Sequence, residues 1–463
     1  MKILMCSSEV VPFAKTGGLA DVVGALPLAL EKLGHEVRIT MPKYKIVNNQ
    51  KLKVTAIAKD VDAGKIGNNI AVYFIKNDKY FGRDGLYGDK NGDYPDNLQR
   101  FSFYSRRSLE LLKEINYSPD VLHLHDWQSA LAAIYLKNIY RKDNFYNKIR
   151  ILLTIHNLAY QGLFLKEEYP KLGLDDELFS VDGLEFYNKI NILKGGIIAS
   201  ELINTVSETY AMEIQGKEFG CGLEGVLSGR KNDLSGIING LDYDAWDPKK
   251  DKLIYKNFSP ETWKDKYQNK AQLQKDCGLS VNDAPLFGMV SRLADQKGMD
   301  LISSSMEDLI KIGHIQMVFL GTGDVKYHNL LEQMAKRYPH NISVNLKFDD
   351  SLAHKIYAAS DIFLMPSRYE PCGLGQMIAL KYGALPLVFK TGGLADTISK
   401  ENGFVFEKYS VPAFIDSAKE ALSAYGDKVK WEKLVKKAFT YDFSWEESAK
   451  KYVELYKNLT SKG

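Results

Sequence analysis

Short apolar runs rich in β-branched residues recur along the chain, each followed by a turn and then a segment with helical spacing of its apolar positions. In the first half this pattern predicts a strand over 2–8 and a turn at Gly17-Gly18. A helix over 21–33, closed by Gly34, and a strand over 37–41 come next. It continues with strands over 121–124, 151–155 and 202–206 and a helix over 128–140. In the second half, strands over 286–290, 316–320, 342–346, 362–365 and 385–389 alternate with helices. Those helices are predicted over 301–312, 327–337, 352–360 and from near Gly373. Strand–turn–helix–strand repeats build a parallel sheet, and continuous apolar runs suit strands buried on both faces. The fold class is therefore α/β. The stretch between Asp242 and Pro285 is polar, aromatic and irregular, and is the expected boundary between two halves.

Composition narrows the classes. A chain of 463 residues accommodates two such halves, each with its own core. A net charge of +3 lacks the basic excess of a nucleic-acid binder. Cys6, Cys221, Cys277 and Cys372 lie far apart and form no C-x-x-C pair, which points away from a zinc or redox site and towards a reducing, cytoplasmic setting. The opening segment is broken by Glu9 and Pro12 and reads as a buried strand rather than a signal peptide. No apolar run is long enough to span a membrane.

Four segments could carry chemistry. Lys-Thr-Gly-Gly-Leu-Ala-Asp at 15–21 recurs at 390–396, each copy after a predicted strand and before a helix. Adjacent glycines admit an oxyanion close to backbone N–H groups, the helix adds its dipole, and Lys15 adds a charge. A plain strand-to-helix turn is the alternative. The spacing matches neither the dinucleotide fingerprint nor the P-loop, so nicotinamide and ATP-hydrolysing chemistry is disfavoured. Arg292 and Lys297, at a strand end, could clamp a diphosphate or could be a solvated loop. Glu370, in Glu-Pro-Cys-Gly-Leu-Gly at 370–375, lies at another strand end. There it could accept sugar hydroxyls, while the backbone of 373–375 faces a phosphate; an ordinary helix-start glutamate is the alternative. His156, in Thr-Ile-His-Asn at 154–157, is either a substrate partner or structural. His123-x-His125 lacks a third ligand for a metal. Asp60-x-Asp62 and Asp242-x-Asp244 read as chance pairs in loops.

Taken in order, these motifs resemble the bacterial glycogen synthases and plant starch synthases. They are joined by His125-Asp126-Trp127, Tyr160-Gln161-Gly162, Asn239-Gly240-Leu241-Asp242 and Phe443-Ser444-Trp445, and cover nearly the whole chain. The resemblance implies a GT-B fold, with two Rossmann-like domains facing a cleft. It divides the chain into 1–245, 246–442 and a last helix within 443–463 that crosses back. It implies retaining transfer of glucose from ADP-glucose to the non-reducing 4-hydroxyl of an α-1,4-glucan, glycogen or a malto-oligosaccharide, in the cytoplasm, with no metal and no cofactor. Glu370 and His156 would bracket the transferred glucose, and Arg292 and Lys297 would clamp the diphosphate. Lys15, Gly17, Gly18, Asp21, His125, Asp126, Asn157 and Asn239 would line the substrate side. Cys372, Gly373, Leu374 and Gly375 would lie against the distal phosphate or the sugar. Gly375 departs from the family, which often carries threonine or another larger residue there, and it can contribute only backbone. The segment with Tyr87 and 94–97 resembles an acceptor-side loop.

Overall fold

A computed structural model describes residues 1–47 and 51–461 and divides the chain into two compact units, Met1–Gly240 with Trp445–Gly463, and Leu241–Ser444. The irregular stretch 242–285 thus lies wholly within the second unit.

The first unit is built on a nine-stranded sheet. Seven strands are parallel. From the edge they are Leu234–Gly236, Leu202–Thr205, Arg150–Ile155, Val121–His125, Lys2–Cys6, Glu36–Pro42 and Ile70–Ile75. Residues Ile3 to Cys6 are wholly buried, as the unbroken apolar run of a central strand requires. The chain runs outward from Lys2–Cys6 to one side and returns at Val121–His125 on the other, which makes a topological switch point beside the first strand. Val61–Ile66 and Thr55–Ala58 extend the sheet in antiparallel fashion. This extension, the helix Asn97–Glu114 and a small antiparallel sheet of Leu163–Leu165, Lys189–Asn191 and Glu185–Phe186 were not anticipated from the sequence pattern.

Several boundaries shift. The first strand ends at Cys6 rather than 8, because Ser7 and Ser8 turn into a buried loop. The first helix is Gly18–Lys32, so the glycine pair belongs to its start. The helix expected over 128–140 starts at Asp126, directly after its strand, and from Leu136 continues as a π-helical turn to Tyr140. The last helix, Trp445–Ser461, completes this unit. Its Trp445, Ala449, Tyr452, Tyr456 and Leu459 are buried in the first unit's core.

The second unit holds a six-stranded parallel sheet. Its order is Ile342–Asn345, Gln316–Leu320, Leu286–Val290, Ile362–Met365, Leu385–Phe389 and Phe404–Phe406. Here the switch point lies between Leu286–Val290 and Ile362–Met365. The helix expected near Gly373 starts at Gly375, because Gly373 has a left-handed φ of 72° that ends the preceding loop.

Candidate active site

In the first unit the loops after the switch-point strands carry the candidate groups. Glu9, almost fully buried, sits behind the glycine turn. Its carboxylate accepts the Thr16 N–H, the Thr16 hydroxyl at 2.5 Å, the Gly17 N–H at 3.2 Å and the Tyr87 hydroxyl at 2.6 Å. Lys15 and Asp21 pair across the turn at 2.7 Å, and both remain solvent-accessible. Cβ atoms added to Gly17 or Gly18 would meet no atom within 4 Å. Neither glycine has a positive φ. The chain itself makes no use of the missing side chains, so their absence leaves room for something from outside.

Three histidines line the neighbouring strands. His156 Nε2 lies 3.0 Å from His125 Nδ1, and the His125 ring packs against His123 at a tilt of 36° with centroids 4.2 Å apart. The Thr154 hydroxyl donates to Asn204 Oδ1, so it must accept from His123 Nε2 at 2.6 Å. That leaves His123 Nδ1 bare, and it accepts from the Tyr456 hydroxyl at 2.8 Å. Burial pushes the His123 and His156 pKa values down to about 3 and lowers that of His125 too, so all three rings are neutral at pH 7. His125, expected on the substrate side, is wholly buried behind His156. Among the described residues its Nε2 has no partner.

Asp126 has a left-handed φ of 55° that turns its carboxylate back onto the next loop. There Asp126 Oδ1 accepts the His156 N–H at 2.7 Å, and the Asn157 N–H also serves the carboxylate. Burial raises its pKa to about 7 against those hydrogen bonds. Asn157 Oδ1 accepts the Ala159 N–H at 3.0 Å and shapes the turn. Asn239 is buried, and among the described residues its Oδ1 lacks a donor.

In the second unit a pocket of about 240 Å³ opens at the switch point. Met289, Val290 and Ser291 from one strand end and Met365 from the other line it. Arg292, Lys297, Ser367, Glu370, Gly373, Leu374, Gly375 and Tyr357 complete the lining. Lys297 Nζ donates to Glu370 Oε2 at 2.6 Å, and the Ser367 hydroxyl donates to the same oxygen at 2.9 Å. Arg292 is exposed and bonds Gln296 Oε1 at 2.9 Å. The pocket therefore gathers two cations, a held carboxylate and bare backbone. That set can bind a diphosphate and orient a polyol. Cys372 is buried behind the loop, with its carbonyl accepting Gln376 Nε2 at 3.1 Å.

The acidic pairs are engaged elsewhere. Asp60 binds Arg107, Asp62 binds Lys43 and Lys76, and Asp242 accepts the Asp244 N–H. Glu9 and Tyr357 were missed at the sequence level. Glu9 could have been found as the acidic residue in the otherwise apolar opening run. Tyr357 sits in an ordinary helical segment and gave no signal.

Comparison with known proteins follows the same division. Residues 2–229 match the family model for the starch synthase catalytic domain, and residues 272–438 match that for glycosyl transferases group 1. The chain is 50% identical to a glycogen synthase of Geotalea daltonii over 100% of this chain and 99% of that one. It is 46% identical to a glycogen synthase of Fervidobacterium nodosum over 100% and 99%. Among solved structures it is similar to the catalytic domain of starch synthase IV from Arabidopsis thaliana, bound to ADP and acarbose. The TM-score is 0.88 and the identity 35%, over 99% of both chains. A sucrose-phosphate synthase from Thermosynechococcus elongatus, 16% identical with a TM-score of 0.63, shares the fold alone.

Proposed function

Because the chain belongs to the family of glycogen and starch synthases, GT-B glycosyltransferases, we propose that it transfers glucose from ADP-glucose, with retention, to the non-reducing 4-hydroxyl of an α-1,4-glucan. Glycogen or a malto-oligosaccharide is the acceptor. The observation that carries this reading is the switch-point pocket in which Arg292, Lys297 and Glu370 meet bare glycine backbone. The ADP bound to the similar starch synthase supports an adenine nucleotide as the leaving group.

As the bond between the glucosyl C1 and the phosphate oxygen breaks, negative charge grows on the departing diphosphate. Arg292 and Lys297 are preorganised to stabilise it, so their effect is largest in the transition state. They supply positive charge from side chains alone, and we assign no metal and no cofactor. Lys15 adds a third cation. Glu9 occupies the Gly17 N–H, which leaves Gly18 to present its own. The acceptor 4-hydroxyl attacks C1 on the face the phosphate leaves, and its proton passes to the departing phosphate oxygen.

His156, neutral at pH 7, serves as a hydrogen-bonding partner for glucose hydroxyls rather than as an acid. Glu370 accepts from glucose hydroxyls while Lys297 and Ser367 hold it. Asp21 steadies Lys15, and Asn239 offers its unsatisfied carbonyl to a hydroxyl. Asp126 and Asn157 set the backbone around His156, and His125 sets its ring. Gly373, Leu374 and Gly375 form the floor beneath the phosphate and sugar, with Cys372 behind them. Four cysteines with no disulfide among the described residues fit the cytoplasm, where sugar nucleotides are made. Among the described residues no helix is long and apolar enough to cross a membrane.

The test is glucan elongation without added metal, with ADP-glucose set against UDP-glucose. Growth with ADP-glucose supports the reading. Growth only with UDP-glucose keeps the transferase and overturns the donor. Nucleotide release without growth overturns the acceptor.

A further inference from the structure

One polar group in the pocket of the second unit is not used by the roles above. Tyr357, on the helix Asp350–Ala359, has a ring that is 4% exposed. The ring stacks on Phe363 at 4.6 Å between centroids and meets Trp246 edge-on at 5.5 Å. These contacts leave the ring no freedom to turn away. The residue lines the pocket with Arg292, Lys297 and Glu370. Among the described residues its hydroxyl makes no hydrogen bond within the chain, so the pocket it lines is where a partner can come from. Burial raises its pKa, so it remains a donor at any working pH.

Gly375 is the second observation. A Cβ built there would lie 3.2 Å from the Tyr357 hydroxyl, 3.2 Å from the Met365 sulfur and 3.2 Å from the Phe363 ring. Its φ lies outside the left-handed range, so backbone conformation does not require glycine. Packing is what disfavours a side chain at 375. The phenol reaches the edge of the space that a larger residue would fill.

We propose that Tyr357 is a donor-binding residue. Its hydroxyl donates to a phosphate oxygen of a nucleoside diphosphate held by Arg292 and Lys297, and glycine at 375 is the condition for that contact. The proposal rests on the sugar-nucleotide reading above and names one more group in the same pocket. A phosphate oxygen is the partner because a permanent O–H donor beside two cations completes an anion site. The contact also gives the hydroxyl a partner in the pocket that Tyr357 lines.

The experiment is calorimetric titration of ADP, which carries the diphosphate and no glucose. Tyr357→Phe keeps the ring and its stacking, so the fold should hold, with an unchanged melting temperature as the check. It should weaken ADP binding about 10-fold or more. Gly375→Thr crowds the phenol and should weaken binding as well. Tyr357→Phe with Gly375→Thr should bind better than the product of the single effects, because removing the hydroxyl relieves the crowding. Wild-type affinity in Tyr357→Phe overturns the proposal, as do strictly multiplicative effects in the pair. Loss of ADP-glucose binding with ADP binding intact also overturns it, by moving the contact to the sugar. Failure of the wild-type protein to bind either ligand overturns the sugar-nucleotide reading itself. Wild-type binding matched by Tyr357→Phe removes only the role of Tyr357.

Discussion

Lys-Thr-Gly-Gly-Leu-Ala-Asp stands at the start of a helix in both units, and its two copies use their glycines in opposite ways. At 15–21 the glycines face open space, and the turn is held from behind by the Glu9 carboxylate. At 390–396 the same pair is closed by protein. Gly392 has a φ of 41°, and a Cβ there would lie 2.0 Å from the Glu370 carbonyl oxygen. One on Gly393 would lie 2.0 Å from the Cys372 carbonyl oxygen. The Gly393 N–H donates to the Glu370 carbonyl at 3.0 Å and lies 3.2 Å from that of Pro371. The first copy offers its backbone outward, whereas the second spends it on placing the loop that carries Glu370. Lys15 meets Asp21 inside its own turn, whereas Lys390 pairs with Glu407 on the surface. Sequence identity between two loops is thus poor evidence of shared function, because the atoms behind each loop decide what its amides face.

Substitutions can break this contrast. The largest effect should come from Gly393→Ala, which drives a methyl group into backbone. We expect a loss of about 3 kcal/mol or more in a denaturant melt, and a collapse in turnover as Glu370 moves. Gly18→Ala should leave stability within about 0.5 kcal/mol while lowering activity. Equal destabilisation at both sites would erase the distinction. Lys15→Ala should slow glucan synthesis roughly 10- to 100-fold through a lost charge-assisted contact, with an unchanged melting temperature. Lys390→Ala should change neither, since solvent screens an exposed pair.

Asp126 should give a smaller, pH-dependent effect beside the first copy. Its pKa is raised to about 7, so the folded state holds its proton more tightly than the unfolded chain. Its contribution to stability is therefore fully present below about pH 4 and is lost as pH rises through about 7. Activity should move the other way, because the ionised carboxylate is the better acceptor for the His156 and Asn157 N–H groups. A turnover profile that rises through about pH 7 in the wild type and is flat in Asp126→Asn would sharpen the assignment. Identical profiles would remove it.

The alternating pattern made most parallel strands of both sheets legible, because a buried parallel strand must be apolar along its whole length, but it did not yield Ile70–Ile75, Leu234–Gly236 or Phe404–Phe406. The strand ends then pointed to Arg292, Lys297, Glu370 and His156, since ligands of open sheets bind at carboxyl edges. What was not legible depended on contacts distant in sequence. The brace from Glu9 to the glycine turn needs the loop with Tyr87, 78 residues further on. Burial of His125 follows from the strands on either side, which its motif alone does not reveal. The antiparallel extension at 55–66 is short, and Lys59, Asp60, Asp62 and Lys65 interrupt its apolar positions, so no long apolar run announces it. Tyr357 reads as one more apolar position of a helix, and only the space left by Gly375 gives its hydroxyl meaning.

The hydrogen bond from Tyr456 to His123 spans 333 residues of sequence yet lies inside the first unit's core. A ribosome reading from the amino end makes the sheet of that unit early and this helix only after the whole second unit. Until then the buried rings of Tyr452 and Tyr456 are missing, and His123 Nδ1 has no donor. The first unit is therefore begun first and finished last, with the whole of Leu241–Ser444 synthesised in between. Such closure by a distant segment is slow, and it leaves apolar surface exposed while the chain is incomplete. A nascent chain cut before Trp445 would lack a piece of the first unit's core.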